Sequence, residues 1–302
     1  MEMQKQFVES VRLYFKEEGE AWLQKLPGLI TYCEEKWALQ LKTPFFLSIN
    51  YVAPAVREDG TELVVKISLP GGGFLDEWEA LHLFNGEGMA SLVEVDQEHR
   101  ILLIEKLTPG YTLAELEDDE EACRIAAHVL KKLHHPAPEN TRLPTTKARE
   151  DNLKAILSKN PNGLGPISKE TLEQASRMFT CLHETSRDLR LLHGDFHHYN
   201  VLASRKDEWT AIDPKGLIGE REYDLIQFLL NKLPEEGKLP VIEKRVEIFT
   251  EELKLNKERL LLWGFCHTVL AASWTVDDHG SYDQSFFEVI EVFEKLLLLK
   301  GS

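Results

Sequence analysis

The sequence predicts an α+β fold in two lobes: a small antiparallel sheet carrying one key helix, then a mainly helical lobe. Three observations predict it. Short strand-like runs alternate with hairpin turns around one helical segment between Phe46 and Leu107. From Thr112 onward apolar residues recur at helical spacing almost to the end. The 302 residues exceed what one small core organises and fit two domains or one bilobal unit.

In chain order, Gln4 to Lys25 and Leu26 to Leu41 carry apolar residues at helical spacing (Phe7, Val11, Phe15, Trp22, then Leu29, Cys33, Trp37), with Pro27-Gly28 expected to separate two helices. Phe46 to Val52 reads as a strand, Glu58-Asp59-Gly60 as a hairpin turn and Glu62 to Ser68 as the return strand. Pro70 to Gly73 breaks the chain before a helix from Phe74 to Phe84. Ser91–Val95 and Arg100–Leu107 form a second hairpin around Asp96-Gln97-Glu98. The lobe boundary is placed just ahead of Thr108-Pro109-Gly110, giving lobes 1–107 and 108–302. Beyond it helices are expected at Thr112–Leu133, Leu153–Leu157, Thr171–Asp188, Glu222–Leu233, Leu239–Leu253, Lys257–Trp274 and Tyr282–Leu299.

Composition narrows the function classes. A net charge of −16 repels nucleic acid and anionic lipid, and no basic stripe with interleaved aromatics occurs, so neither a nucleic-acid nor a membrane partner is expected. Such charge would suit a cationic small molecule, although acidic surfaces commonly serve solubility alone. No segment has the apolar length of a membrane span, and the first residues lack a secretory pattern. Cys33, Cys123, Cys181 and Cys266 are scattered without C-x-x-C spacing, and each is expected to be buried and reduced. A cytoplasmic location is expected; oligomeric state is left open.

The chemistry concentrates in His193-Gly194-Asp195-Phe196-His197-His198-Tyr199-Asn200, set between apolar runs. Thirteen residues after Asn200 comes Asp213, in Ile212-Asp213-Pro214-Lys215-Gly216, at the end of the strand-like Trp209–Ile212. Two short strands would therefore form a hairpin with Asn200 near one end and Asp213 near the other. An Asp, an Asn five residues on and a second Asp after a hairpin form the set used in phosphoryl transfer. Asp195 could accept a hydroxyl proton, while Asn200 and Asp213 offer the oxygen ligands that Mg²⁺ prefers. The competing reading is a decorated turn, since Asp and Asn bond nearby backbone. The three histidines invite a metal site, but Zn²⁺ needs three or four converging N or S ligands. His193 is better read as a residue that organises the loop through backbone bonds.

Lys66 taken alone reads as an edge-strand lysine. Asp76, Glu77 and Glu79 open the next helix, however, and a strand Lys paired with a helix Glu holds the α- and β-phosphates in kinases. Glu77 is the chosen partner and Glu79 the fallback; the alternative is ordinary acidic charge at a helix N-terminus. A glycine-rich phosphate loop is missing: Asn50 to Ala55 has no glycine, and only Gly60 precedes Lys66 nearby. Backbone groups at Glu105-Lys106-Leu107 could bind an adenine edge, which the sequence permits without showing. Asp224 either supplies helix N-terminal charge or braces the loop, and Lys215 could reach a phosphate oxygen.

With these pieces placed, the chain resembles the aminoglycoside phosphotransferases, and more narrowly the aminoglycoside/hydroxyurea resistance kinases. The matching text is Leu192 to Leu202, Ala211 to Gly216 and Tyr223-Asp224-Leu225, with weaker matches at Glu77–Leu81, Leu102–Gly110 and Trp263–Asp278. The resemblance implies a bilobal protein-kinase-like fold with ATP and Mg²⁺ in its cleft. It implies Asp195 as catalytic base, Asn200 and Asp213 as metal ligands, and Lys66 with Glu77 as the phosphate-positioning pair. Trp274, Asp277 and Asp278 fall where the family carries similar residues and become candidates for substrate contact, against the plainer reading of a decorated helix end. The expected activity is ATP- and Mg²⁺-dependent O-phosphorylation of a small hydroxylated molecule, with streptomycin-like aminoglycosides and hydroxyurea among the acceptors. The alternatives are a sugar or amino-alcohol kinase of the same fold, or a catalytically silent nucleotide-binding protein.

Overall fold

A computed structural model describes residues 3–71, 73–205, 208–277 and 279–299. The chain divides into two compact units: Met1–Gly110 with Ala203–Thr210, and Tyr111–Leu202 with Ala211–Ser302.

The first unit opens with α1 (Lys5–Trp37). Its bend lies at Lys16 (φ 48°, ψ −124°), and the helix runs straight through Pro27, so the expected break at Pro27-Gly28 is corrected. An interior proline costs about 3 kcal/mol. Trp22, Leu26, Cys33 and Trp37, on both sides of it, are buried in the core, at about 1.5–3 kcal/mol for a large apolar side chain. Packing therefore outweighs the proline. The bend itself depends on Gly19, where a Cβ would stand 2.6 Å from the Val11 carbonyl oxygen.

α1 ends on Ala38 in the left-handed region, and β1 (Leu39–Leu41) follows where helix was expected. The next strand, β2, is Tyr51–Arg57 and not Phe46–Val52. Tyr51, Ala53 and Ala55 alternate into the core, while Gln4 pins the preceding segment through the Phe45 carbonyl (2.7 Å) and the Leu47 N–H (3.0 Å). Then come β3 (Glu62–Ile67), α2 (Phe74–Phe84), β4 (Leu92–Asp96) and β5 (Ile101–Glu105). Asp96, expected in a turn, ends β4 and accepts from Tyr32, Lys36 and His99. The sheet order is β1-β2-β3-β5-β4, antiparallel throughout, with Lys66 opposite Val52 on one side and Leu102 on the other.

In the second unit a short 3₁₀ turn (Leu113–Glu115) precedes α3 (Asp119–Leu133). The expected single helix from Thr112 is interrupted because Asp118 caps a fresh helix, accepting from the Glu120 and Glu121 N–H groups. α4 (Lys147–Lys159), α5 (Lys169–Thr185) and β6 (Arg190–Leu192) lead to a 3₁₀ turn at His198–Asn200. The hairpin β7 (Val201–Arg205) and β8 (Glu208–Ala211) follows, then β9 (Leu217–Gly219), antiparallel to β6. The tip Ala203–Thr210 clusters with the first unit, where the Ala203 carbonyl accepts the Gly110 N–H, although the sequence division put it in the second lobe.

The expected helix Glu222–Leu233 is two pieces, α6 (Arg221–Asp224) and α7 (Ile226–Leu230). Buried Arg245 ends α7 by donating to the Phe228, Leu229 and Asn231 carbonyls. α8 (Lys238–Leu253), α9 (Lys257–Thr275) and α10 (Gln284–Leu299) complete the unit. α9 is buried along most of its length, and Gly264 leaves room for the Phe293 ring of α10, which a Cβ would meet at 2.2 Å. Cys33, Cys123 and Cys266 are buried; Cys181 is exposed on α5, contrary to expectation. Among the described residues no helix is long and apolar enough to cross a membrane.

Candidate active site

The segment between β6 and the 3₁₀ turn is held by Asp224. Its carboxylate, buried at the end of α6, accepts the His193 N–H (2.9 Å) and the Gly194 N–H (2.8 Å). His193 is fully buried. Its Nε2 faces the Ile212 carbonyl at 2.9 Å and its Nδ1 accepts the Asp195 N–H at 3.2 Å. A carbonyl only accepts, so the proton sits on Nε2 and the ring is neutral. Burial acts the same way, pushing the His193 pKa down. The His193 carbonyl in turn accepts the Lys215 and Gly216 N–H groups. One buried imidazole thus ties the Asp195 segment to the Asp213 segment.

Asn200 makes the second tie. Its Nδ2 donates to the Asp195 carbonyl (3.0 Å), and its own carbonyl accepts the Ile212 N–H (2.9 Å). With the amide nitrogen so used, Oδ1 is the amide's remaining acceptor. Asp213 sits at φ 58°, a backbone region that Asp tolerates better than most side chains. The Lys215 ammonium lies 3.9 Å from the Asp195 carboxylate and 3.6 Å from that of Asp213. The three side chains named from sequence are therefore gathered in one place. Among the described residues no group of three or more His, Cys, Asp or Glu side chains could hold a metal ion. One amide oxygen and one carboxylate is a donor set that suits Mg²⁺, which keeps several waters and takes phosphate oxygens.

In the first unit the Lys66 ammonium meets the Glu77 carboxylate at 2.7 Å, with both residues only 5% exposed. β3 is the central strand, which removes the edge-lysine reading, and Glu77 rather than Glu79 is the ion-pair partner. Asn50 to Ala55, where a phosphate loop was sought, leads into regular strand β2. Glu105 is partly committed inside the sheet: its N–H donates to the Ser91 carbonyl and its side chain accepts the Ser91 N–H. Leu107 is half-buried.

Trp274, at the end of α9, is half exposed and donates its indole N–H to Asn152 (2.7 Å). Asp277 spends its carboxylate on a turn of its own, accepting from His279 and Ser281. Asp278 lies outside the described residues. Beside Gly194 and Asp224 lies a small cavity of about 80 Å³, ringed by Arg149, Tyr223, Ile226, Gln227, His267 and Trp274. Apart from Trp274, sequence reasoning named none of these side chains as a substrate contact. They are common residue types spread over four helices, with no spacing signal. Burial, helped by the Arg149 charge, pushes His267 down to about 3.

Residues 37–279 match the family model described as aminoglycoside/hydroxyurea antibiotic resistance kinase. The chain is 29% identical over 273 residues to a streptomycin 6-kinase of Streptomyces griseus, covering 87% of each chain. It is 29% identical over 285 residues to a hydroxyurea phosphotransferase of Kitasatospora aureofaciens, covering 92% of this chain and 81% of that one. Among solved structures, an amicoumacin kinase in complex with AMP-PNP and Ca²⁺ superposes with a TM-score of 0.61 at 15% identity, covering 90% of this chain and 93% of that one. That likeness shows the protein-kinase-like fold.

Proposed function

This chain belongs to the aminoglycoside/hydroxyurea antibiotic resistance kinase family, and from that premise we propose that it transfers the γ-phosphoryl group of ATP to a hydroxyl of a small molecule. The observation that carries this is the meeting of Asp195 and Asp213 at Lys215, with Asn200 tied to the Asp195 backbone and the loop fixed by His193 and Asp224. Asp195 orients the acceptor hydroxyl and takes its proton. Asn200 Oδ1 and the Asp213 carboxylate would hold Mg²⁺, which when bound offsets charge on the transferred phosphoryl group. Lys215 lies near enough to both carboxylates to meet a phosphoryl oxygen. Lys66, oriented by Glu77, takes the α- and β-phosphates, and backbone groups at Glu105 and Leu107 receive the adenine.

The relatives act, by their names, on streptomycin and hydroxyurea, and these set the first acceptors to try. Radiolabelled phosphate transfer from ATP with Mg²⁺ should be measured across streptomycin, other aminoglycosides, hydroxyurea and common sugars and amino alcohols. Transfer to one acceptor class, abolished by EDTA, is the expected result. Tight ATP binding with no transfer and no ATP hydrolysis would instead support a silent nucleotide-binding protein, the reading that the missing glycine loop favours.

A further inference from the structure

The cavity beside the Asp195 loop is lined by one cationic side chain, Arg149. Arg149, in the first turns of α4, packs its guanidinium 5.7 Å from the Trp274 ring centroid. Its Nε–H is buried and has no hydrogen-bond partner among the described residues. Arg149 lines the cavity, and a guanidinium is a planar fork of N–H donors that suits a carbonyl or carboxylate oxygen.

Among the other lining groups only Asp224 carries a charge. His267 is 4% exposed, its Nδ1 lies 2.7 Å from the Tyr223 hydroxyl, its Nε2 faces the Gln227 amide at 3.3 Å, and it is neutral at physiological pH. Asp224 is the one carboxylate in the lining, and both of its oxygens accept backbone N–H groups of the loop. Glu150 and Asp151, next to Arg149 in sequence, pair with Lys147, and Glu150 with Lys154 as well. The Asp277 carboxylate closes its own turn. The cavity lining is therefore a guanidinium, an indole, a phenol, an amide, an uncharged imidazole and one carboxylate already engaged by two backbone donors.

We propose that Arg149 is a specificity-determining residue that receives a carbonyl or carboxylate oxygen of the acceptor, so that compact neutral or anionic hydroxyl compounds are phosphorylated in preference to polycations. The inference rests on the phosphotransfer reading and narrows it to a substrate class. A cavity of about 80 Å³ admits a few heavy atoms, which fits a small acylated hydroxyl compound or the acyl end of a larger one. A polycation would have to bring its charge against Arg149, with only Asp224, already engaged by two backbone N–H groups, to answer it.

The test measures kcat and KM for hydroxyurea, glycerate and streptomycin with the wild-type chain, Arg149→Gln and Arg149→Lys. Isothermal titration of the same compounds runs in parallel, and thermal melts confirm folding. The wild type should use hydroxyurea or glycerate at least about tenfold more efficiently than streptomycin. Arg149→Gln should raise KM for the preferred compound about tenfold or more, leave KM for ATP unchanged, and leave streptomycin unaffected or improved. Arg149→Lys, which lacks the planar fork of donors, should recover only part of the loss. Streptomycin as the best acceptor, with Arg149→Gln within twofold of wild type, overturns the inference while leaving phosphotransfer intact. Absence of ATP-dependent transfer to every compound removes the phosphotransfer reading instead. In that case calorimetry decides: hydroxyurea or glycerate binding lost in Arg149→Gln sustains the role of Arg149, and binding of streptomycin alone, or of none of the three, overturns it.

Discussion

The Lys66 ammonium and the Glu77 carboxylate lie 2.7 Å apart, on a central strand and the helix that follows it, both out of solvent. Removing one partner breaks a buried ion pair, which typically costs about 3–5 kcal/mol. Lys66→Met should therefore be strongly destabilised in urea unfolding, and Lys66→Met with Glu77→Leu should recover much of the loss. Both variants should show a raised KM for ATP. A double variant as unstable as the single one would contradict the pairing.

Asp224 satisfies two backbone N–H groups with two oxygens. Asp224→Asn keeps one acceptor and turns an amide NH₂ toward the other donor. A loss of about 1–3 kcal/mol is expected. The fall in kcat should be larger than the fall in ATP affinity, because the loop that moves is the one bearing Asp195. Equal kcat in Asp224→Asn and wild type would remove the bracing role.

Gly19 and Gly28 lie in the same helix, yet they should respond oppositely to alanine. A Cβ at Gly19 would stand 2.6 Å from the Val11 carbonyl oxygen, whereas nothing lies within 4 Å at Gly28. Gly19→Ala should be destabilised by about 1–3 kcal/mol through overpacking. Gly28→Ala should be neutral or more stable by up to about 1 kcal/mol through helix propensity. Thermal melts of the two variants settle the contrast.

Glu150 sets an acid limit on stability. Burial alone would raise its carboxyl, but hydrogen bonds from Lys147, Lys154 and Thr180 outweigh burial and hold it at about 2, from an ordinary 4.5. A folded-state value below the unfolded one gives stability that is complete above about 4.5 and is lost as pH falls toward about 2. Urea unfolding at stepped pH should show this loss, and Glu150→Gln should be less stable at neutral pH and show a shallower acid slope. Parallel curves for the two proteins would contradict the assignment.

Much of this was readable in the chain because the informative contacts are local. Phe74 to Phe84 is helical as its spacing indicated, and Lys66 could be matched to Glu77 because a strand and the next helix leave few partners. Asp195 and Asn200 share one short loop, so their joining required only that the loop close. The bend at Lys16 was not readable, since no side chain there signals a left-handed turn and the stronger punctuation stood at Pro27. The start of β2 was missed because Phe46 and Leu47 look strand-like, while Gln4, over forty positions away, fixes that segment by side-chain bonds. Arg149, Gln227 and His267 converge only through the packing of three helices, and none stands in a recognisable pattern.

The most direct test of the central claim is single-turnover phosphate transfer by Asp195→Asn, alongside ATP binding by the same protein. If Asp195 is the base, transfer should slow by about 10²–10⁴-fold while the dissociation constant for ATP stays within about threefold of wild type. Transfer at the wild-type rate in a properly folded Asp195→Asn protein would contradict the account.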